Sequence, residues 1–166
     1  MKEKYDVPIA PQSEFVSYMM EQMSRFGLPC TEEQAKVLYM YYAHMIETNK
    51  YLNLTGITDM KEVVVKHMID SLSCYDSEII KSGMTIIDVG TGAGFPGIPL
   101  AIYDRSLKVT LFDSLKKRLT FLESVIDKLK LTNCTTLHGR AEDLSHQDYR
   151  ESFDIATSRA VARLPI

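Results

Sequence analysis

The segment that most constrains the fold of this chain is Met84–Gly97, which reads MTIIDVGTGAGFPG. Its apolar residues Ile86 and Ile87, with Val89 beyond one acidic residue, predict a buried strand of a parallel sheet. Glycines then follow at alternate positions, which are Gly90, Gly92 and Gly94. Because glycine has no Cβ atom, the pattern predicts a strand–loop–helix turn where backbone N–H groups and a helix N-terminus meet a cofactor.

Asp88, between the strand and the glycines, bears on the kind of cofactor. A carboxylate there repels a pyrophosphate but suits a ligand that carries an amino or sulfonium cation. The string Gly92–Gly97 also satisfies the G-x-G-x-x-G pattern of nicotinamide-dependent oxidoreductases, and Asp113 follows at about 20 residues. Asp88, the extra alternate glycine Gly90 and a preceding helical segment favour the cationic ligand, and the nicotinamide alternative stays open.

The pattern Asp-x-Gly-x-Gly-x-Gly resembles the first motif of the Rossmann-like methyltransferases that use S-adenosylmethionine (SAM). Longer strings narrow the resemblance: DVGTGAGFPGIPLAI, with NLTGIT before it and LFDSLKKRLTFL, HGRAEDL and TSRA after it. In this order, from about Tyr51 to Ala160, they resemble the bacterial 16S ribosomal RNA guanine-N7 methyltransferase family (RsmG, also called GidB).

The resemblance implies an α/β, Rossmann-like SAM-dependent methyltransferase fold with an N-terminal helical cap. Residues 1–82 would form the cap, and residues 83–166 would form the SAM-binding region. Alternating strands and helices after residue 84 predict right-handed crossovers and a parallel sheet with helices on both faces. Such folds normally continue with further strands, so the end of the sequence at Ile166 suggests that C-terminal strands are missing.

Hydrophobic periodicity and capping signals place the individual elements. Helices are predicted over Ser13–Phe26, from Thr31 past Ile46, from Asp59 to about Leu72, over Pro96–Tyr103 and over Leu115–Leu129. Strands are predicted over Thr85–Val89, Lys108–Phe112, Cys134–Leu137 and Phe153–Thr157.

The resemblance also implies which residues bind the cofactor. Asp113 would contact the ribose, and a carboxylate there could cap the next helix, alone or together with that contact. Ala141 and Glu142 would hold the adenine, with a capped surface turn as the alternative. Arg159 follows the fourth strand, at the sheet edge where ligands bind, although a surface salt bridge is the alternative. The full expected set is Asp88, Gly90, Gly92, Gly94, Phe95, Asp113, Ala141, Glu142 and Arg159.

The residues after the fourth strand restrict the kind of atom that could accept the methyl group. The sequence Thr157–Ala162 has neither the [Asp/Asn]-Pro-Pro-[Tyr/Phe] motif that holds an exocyclic amine nor a Pro-Cys nucleophile. N7 of guanine carries its own lone pair and no proton, so it needs in-line approach to the sulfonium methyl without a general base. We therefore predict no catalytic residue. Orientation would supply most of the acceleration, about 7–11 kcal/mol of the barrier.

Five residues are expected to contact the substrate. Asn53 and His67 match polar positions typical of the family, although Asn53 could be a turn residue and His67 a satisfied residue at a helix boundary. Lys116, Lys117 and Arg118 begin a helix, where cations oppose the helix dipole. RNA phosphate could offset that cost, and so could Asp113 or Glu123.

Composition sets the remaining expectations. The net charge is −3, so RNA binding needs local basic patches. The sequence has no membrane-span pattern and no signal peptide, which predicts a cytoplasmic protein without membrane contact. Three widely spaced cysteines argue against disulfides and a metal site. We expect a monomer with 16S rRNA or the small ribosomal subunit as partner.

Three other functions stay open on the sequence alone. One is a SAM-dependent methyltransferase of another nucleic acid or a small molecule. Another is a SAM-binding regulatory module without turnover, and the last is a nicotinamide-dependent oxidoreductase.

Overall fold

A computed structural model describes residues 7–144 and 149–159. Residues 1–6, 145–148 and 160–166 lie outside the described residues, and with them lie the ends of both predicted regions. No helix within the described ranges is long and apolar enough to cross a membrane.

The first helices lie where the sequence predicted them. Helix α1 spans Gln12–Arg25 and α2 spans Glu32–Leu52. Thr31 begins α2 with a full capping box, because its side chain accepts the Gln34 N–H while the Gln34 side chain accepts the Thr31 N–H. These reciprocal hydrogen bonds satisfy two backbone donors that a helix start otherwise leaves free.

The third predicted helix contains a change of helix type. It comprises α3 (Met60–Val63), a π-helical segment (Val64–Ile69) and α4 (Asp70–Leu72). The Asp59 side chain accepts the Glu62 N–H and caps the start of α3. π-Helical turns are rare in proteins, and those that occur are often found at functional sites.

The second half of the chain forms a four-stranded parallel sheet in the described residues, with the order β3-β2-β1-β4. The predicted strands are confirmed to within two residues at each end. The strands are β1 (Thr85–Val89), β2 (Lys108–Asp113), β3 (Cys134–His138) and β4 (Ile155–Ser158). The connecting helices are α5 (Gly97–Tyr103), α6 (Lys116–Leu129) and α7 (Ala141–Leu144).

The two longer crossover helices share one face of the sheet. Gly97 of α5 lies against Asp88 and Leu111, and Glu123 of α6 accepts a hydrogen bond from Thr136. Asp88, Leu111 and Thr136 are register partners, so their side chains point to the same face. Ala141 and Leu144 of α7 line a cleft with Ile87 and Val89, which alternate with Asp88 along β1 and so point to the other face. In the part of the chain that the structure describes, helices therefore flank both faces, as predicted, with the short α7 on the second.

The helical segment and the sheet share one hydrophobic core. Buried side chains from α1, α2 and α3 join those of β1, α5, β2 and α6 in a single cluster. Helix α2 packs on α5 and α6, and the rings of Tyr41 and Phe95 lie 5.4 Å apart at that contact. A separate cap domain over residues 1–82 stays a prediction.

Candidate cofactor and substrate site

The candidate site lies where the direction of strand progression reverses. The chain moves outward from β1 to β2 to β3, then returns to place β4 on the other side of β1. Open α/β sheets bind ligands beyond the carboxyl ends of the strands at such a switch point. The glycine loop after β1, Asp113 at the end of β2, the turn after β3 and Arg159 after β4 all emerge at this edge.

Asp88 lies beneath the glycine loop and is fully buried. Its Oδ2 accepts hydrogen bonds from the Thr91 hydroxyl at 2.6 Å and the Gly97 N–H at 2.8 Å. Burial raises the pKa of this carboxyl, while the two hydrogen bonds lower it. Asp88 therefore ties the loop to the start of α5. Its predicted contact with the cofactor stays a prediction.

The N–H groups of the glycine loop are engaged inside the protein. Gly90 and Thr91 donate to the Phe112 carbonyl, and Gly92 donates to Asp113 Oδ2 at 3.0 Å. The N–H groups of Gly94, Phe95, Gly97 and Ile98 also donate to acceptors within the segment. The predicted contact of the loop N–H groups with a cofactor stays a prediction, and these seven N–H groups already have acceptors within the protein. A pyrophosphate needs such donors, so this geometry disfavours a nicotinamide dinucleotide.

Asp113 connects the loop to the next helix. Its Oδ1 accepts the Leu115 N–H at 2.9 Å, its Oδ2 accepts the Gly92 N–H, and Arg118 lies 3.5 Å away. Leu115, not Asp113, is the N-cap of α6, and it makes no side-chain capping bond. The alternative interpretation of Asp113 as a helix N-cap is therefore wrong. A carboxylate has about four acceptor positions, so positions remain for hydroxyl donors of a ligand.

A cleft of about 620 Å³ opens beside Asp113. This volume falls within the range of small-molecule sites. Of the expected cofactor residues, the cleft brings together Gly90, Asp113, Ala141 and Glu142, and Phe112 and Val89 add apolar walls. Gly92, Gly94 and Phe95 are not among the lining residues. Gly92 contacts the cleft only through its hydrogen bond to Asp113.

Arg159 forms a second cluster with the π-helical segment. Its Nη1 donates to the Lys66 carbonyl and to Asp70 Oδ2, each at 3.0 Å, and its Nη2 lies 2.8 Å from His67 Nδ1. The guanidinium also lies over the Phe95 ring, 5.0 Å from its centroid. A salt bridge of Arg159 to Asp70 is thus present, as the alternative interpretation predicted, but it is one of four contacts.

The hydrogen bonds of His67 define its tautomer. Arginine only donates, so Nδ1 must accept and the ring proton lies on Nε2, which donates to Thr55 Oγ1 at 2.9 Å. The ring stacks on Phe95 with centroids 4.4 Å apart. Burial, with the Arg159 charge, lowers the pKa of His67 to about 4. His67 is therefore a neutral, buried residue, and it contacts Arg159 directly.

Asn53, Lys117 and Arg118 meet at a smaller cleft of about 210 Å³. Asn53 is the C-cap of α2 in the left-handed conformation, with φ 49°, and faces Lys117 and Arg118 across this cleft. Lys116 and Lys117 are exposed, whereas Arg118 is half-buried and also lines the larger cleft. The three cations thus divide: Arg118 pairs with Asp113, and the two lysines face solvent.

Sequence reasoning missed two residues that build the site. The buried Asn49 side chain makes three hydrogen bonds to the backbone of Leu54 and Thr55, and so shapes the turn that carries Thr55 to His67. Tyr41 donates to the Ala93 carbonyl at 2.5 Å and so reaches the glycine loop from α2. The helical periodicity predicted neither role, because both depend on contacts distant in sequence.

The described residues contain no candidate metal-binding site. They contain no group of three or more histidine, cysteine or acidic side chains arranged to hold a metal ion. Cys30, Cys74 and Cys134 are free thiols.

Comparison with solved structures gives the class of fold. The chain superimposes on an isoaspartate O-methyltransferase of Plasmodium falciparum, solved with S-adenosylhomocysteine (SAH), with a TM-score of 0.52 and 19% identity. The match covers 91% of this chain and 76% of that structure. With its parallel sheet and switch-point cleft, this chain has the Rossmann-like fold of SAM-dependent methyltransferases.

Sequence comparison gives the family. Residues 34–165 match the family described as rRNA small subunit methyltransferase G (GidB). Proteins named ribosomal RNA small subunit methyltransferase G are 48% identical in Lachnoclostridium phytofermentans and 49% identical in a Thermoanaerobacter species, over 89% and 91% of this chain. The chain belongs to the rRNA small subunit methyltransferase G family. It spans 61% and 63% of the length of these two relatives.

Proposed function

We propose that this protein is a methyltransferase that transfers the methyl group of SAM to N7 of a guanine in 16S ribosomal RNA, within the decoding region. The observation that carries the proposal is the cleft at the switch point, with the acceptor carboxylate of Asp113 at its base, in a chain of this family. The internal use of the loop N–H groups supports a cationic cofactor over a dinucleotide.

The residues around the larger cleft fit SAM. Asp113 has acceptor positions for ribose hydroxyls, and Ala141 and Glu142 line the same cleft, where they would hold the adenine. Gly90 lines the cleft with its backbone, and Gly92 fixes Asp113. When bound, SAM supplies an electrophilic methyl group. Asp88, Gly94 and Phe95 would act through the shape of the loop.

The protein contributes orientation and not proton transfer. Guanine N7 has a free lone pair, so no group of the protein must remove a proton from it. His67, a titratable group at the β4 side of the site, is held neutral by its surroundings, and its Nδ1 is occupied by Arg159. This supports a mechanism in which the acceleration comes from placing N7 in line with the methyl group.

The RNA would approach over the smaller cleft. Lys117 lines this cleft, and the neighbouring Lys116 is also exposed. Both lysines would contact phosphates, and Asn53 offers an amide to a base edge. Arg118 would act at the cofactor instead, through its pairing with Asp113. His67, which was also expected to contact the substrate, donates to Thr55 and accepts from Arg159. The protein would act as a cytoplasmic monomer on 16S rRNA or the small subunit.

The test is transfer of labelled methyl from SAM to small-subunit RNA isolated from cells that lack this protein. Nucleoside analysis then locates the label, and we expect it in 7-methylguanosine. Label in another nucleoside, or only in a small molecule, would favour the alternative of a different methyl acceptor. SAH binding without transfer to any acceptor would indicate a binding module.

A matched pair of variants tests the cofactor site. Asp113→Ala should weaken SAH binding at least about tenfold, because charge-assisted hydrogen bonds and loop contacts are lost together. Asp127→Asn is the control, because Asp127 is exposed near the other end of α6 and pairs only with Lys130 among the contacts described. Binding of NADH that SAH does not displace would contradict the proposal.

A further inference from the structure

His67 is fixed by two contacts of its ring before any ligand is considered. Nε2 donates to Thr55 Oγ1, which also accepts the Ile57 N–H, and the ring stacks on Phe95. The Asn49 side chain holds the backbone of Thr55 in turn. The ring is only 7% exposed. These contacts leave Nδ1 as the one ring atom that can act on another group, and that atom faces Arg159.

Several contacts also hold Arg159, but they do not occupy all of its N–H donors. Its guanidinium has five N–H donors, and three of them go to Lys66, His67 and Asp70 in the described structure. The side chain is 28% exposed and lies over Phe95 at the switch point. It therefore keeps donors for a ligand, in an orientation set by its acceptors.

We infer that His67 is a positioning residue. Its Nδ1 accepts one N–H of Arg159 and thereby aims the remaining donors of the guanidinium at the carboxylate of the cofactor. The inference rests on the proposed function, because it takes SAM as the ligand. The carboxylate is the only anionic group of SAM, so it is the group that a donor-only cation binds best. His67 itself touches neither the cofactor nor the RNA.

The local backbone supports this assignment. Both the Lys66 carbonyl and the His67 ring come from the π-helical segment, which carries them on adjacent residues toward Arg159. Asp70 follows in α4 and completes the set of acceptors. A side chain that only filled space would not need a defined acceptor atom in this position.

Two substitutions of His67 test the hydrogen bonds of the two ring nitrogens separately. In His67→Asn the amide oxygen falls near the position of Nδ1 and can still accept from Arg159, but the link to Thr55 is lost. In His67→Gln the amide reaches the position of Nε2 and can still bond Thr55, but the acceptor for Arg159 is lost. Each variant loses the ring and one hydrogen bond, so their costs in stability should be similar.

The readout is binding of two cofactor analogues, measured by calorimetry on the whole chain. SAH carries the carboxylate, whereas 5′-methylthioadenosine lacks the amino-acid part. We expect His67→Gln to weaken SAH binding about tenfold and to leave methylthioadenosine binding unchanged, because one charge-assisted hydrogen bond loses its geometry. His67→Asn should retain the wild-type preference for SAH.

The possible outcomes decide between the two proposals. Equal loss of preference in both variants, or none in either, would overturn the positioning role while leaving the cofactor assignment intact. A loss of RNA affinity without a loss of SAH affinity in His67→Gln would overturn it too, and would assign Arg159 to the RNA. Absence of SAH binding by the wild-type chain would overturn the proposed function and this inference with it.

Two further measurements do not depend on the His67 variants. Nitrogen-15 NMR of wild-type His67 should find the proton on Nε2 near neutral pH, at about pH 7. A proton on Nδ1 would contradict the inference. Arg159→Lys keeps the charge but loses the planar set of donors, so it should lower the preference for SAH over methylthioadenosine. An unchanged preference would contradict the inference as well.

Discussion

At the scale of single residues, burial decides what the titratable groups of this site can do. His67 is almost fully buried beside a guanidinium, and both effects favour its neutral form. Asp88 is buried with two hydrogen bonds to one oxygen, whereas its Oδ1 has no partner in the described structure. Neither environment is visible in the local sequence, where both residues look like candidate ligand contacts.

The lowered pKa of His67 predicts a pH-dependent stability. The folded-state pKa is about 4, below the ordinary value of 6.5. Between these values the unfolded chain binds more protons than the folded chain. The free energy of unfolding should therefore fall as the pH is lowered from 6.5 to 4, by about 3 kcal/mol in total from this residue. Urea unfolding across this pH range measures it.

The control for this prediction is His67→Asn, which removes the titrating group. Its stability should be lower at neutral pH but should change less between pH 6.5 and pH 4 than that of the wild type. Parallel pH profiles for the two proteins would mean that other groups cause the effect.

At the scale of elements, the glycine loop contains glycines with different tasks. Gly94 has φ +107°, and a Cβ atom there would lie 2.7 Å from Ile98 and 2.9 Å from both Leu122 and the Tyr41 hydroxyl. Gly92 has φ +61°, but a Cβ atom there would meet no atom closer than the Gly90 carbonyl oxygen at 4.0 Å. Gly94 is thus required for packing, whereas Gly92 is required only for its backbone conformation.

This difference predicts unequal effects of alanine. Gly92→Ala should cost about 1 kcal/mol, because only the left-handed conformation is strained. Gly94→Ala should cost about 3 kcal/mol or more, because overpacking adds to the strain. Thermal or urea unfolding of the two variants checks the order. Equal losses would mean that the neighbours of Gly94 move aside without cost.

At the scale of the whole molecule, the helical segment and the sheet are joined at the site. The fully buried Tyr41 of α2 donates to the Ala93 carbonyl in the glycine loop, and burial raises its pKa well above the usual value. Its ring also lies against Phe95. The first part of the chain thus supports the loop directly, although the two are about fifty residues apart in sequence.

Tyr41→Phe should therefore destabilise the chain by about 1–3 kcal/mol, because the Ala93 carbonyl loses its donor. Hydrogen exchange of the loop amides should become faster than in the wild type. The matched control is Tyr51→Phe, because Tyr51 is 73% exposed and its hydroxyl can bond water. Unchanged exchange in the loop would show that α2 does not support it.

The charge distribution makes another prediction at this scale. The net charge is −3, but Lys116 and Lys117 form a local exposed pair, and Lys117 lines the smaller cleft. Replacing both with glutamine should weaken RNA binding and reduce the slope of log K against log salt by about 1–2, while SAH affinity stays unchanged. Filter binding at several salt concentrations measures this slope.

The control pair lies at the other end of the same helix. Lys128→Gln with Lys130→Gln removes the same charge away from the clefts, so RNA binding should change little. Arg118→Gln should differ from both pairs and weaken SAH binding, because Arg118 pairs with Asp113. An equal effect of the two lysine pairs on RNA affinity would mean that only overall charge matters.

Local sequence patterns predicted the elements because their causes are local. The capping box at Thr31, the apolar period of α6 and the apolar run of β1 each act within a few residues, so their bounds were predicted to within a few positions. The glycine motif likewise predicted a turn after β1, since only glycine adopts its positive φ angles without strain.

The sequence by itself determined the elements, their alternation and the family of this chain, because periodicity, capping and motif order are properties of neighbouring residues. Only the tertiary structure decided which residues of the site are buried and which of them contact one another. It buried Asp88 beneath the loop, divided Arg118 from the two lysines, and brought His67 to Arg159 from 92 positions away. These outcomes depend on which groups share a desolvated space, and that space exists only once distant elements pack together.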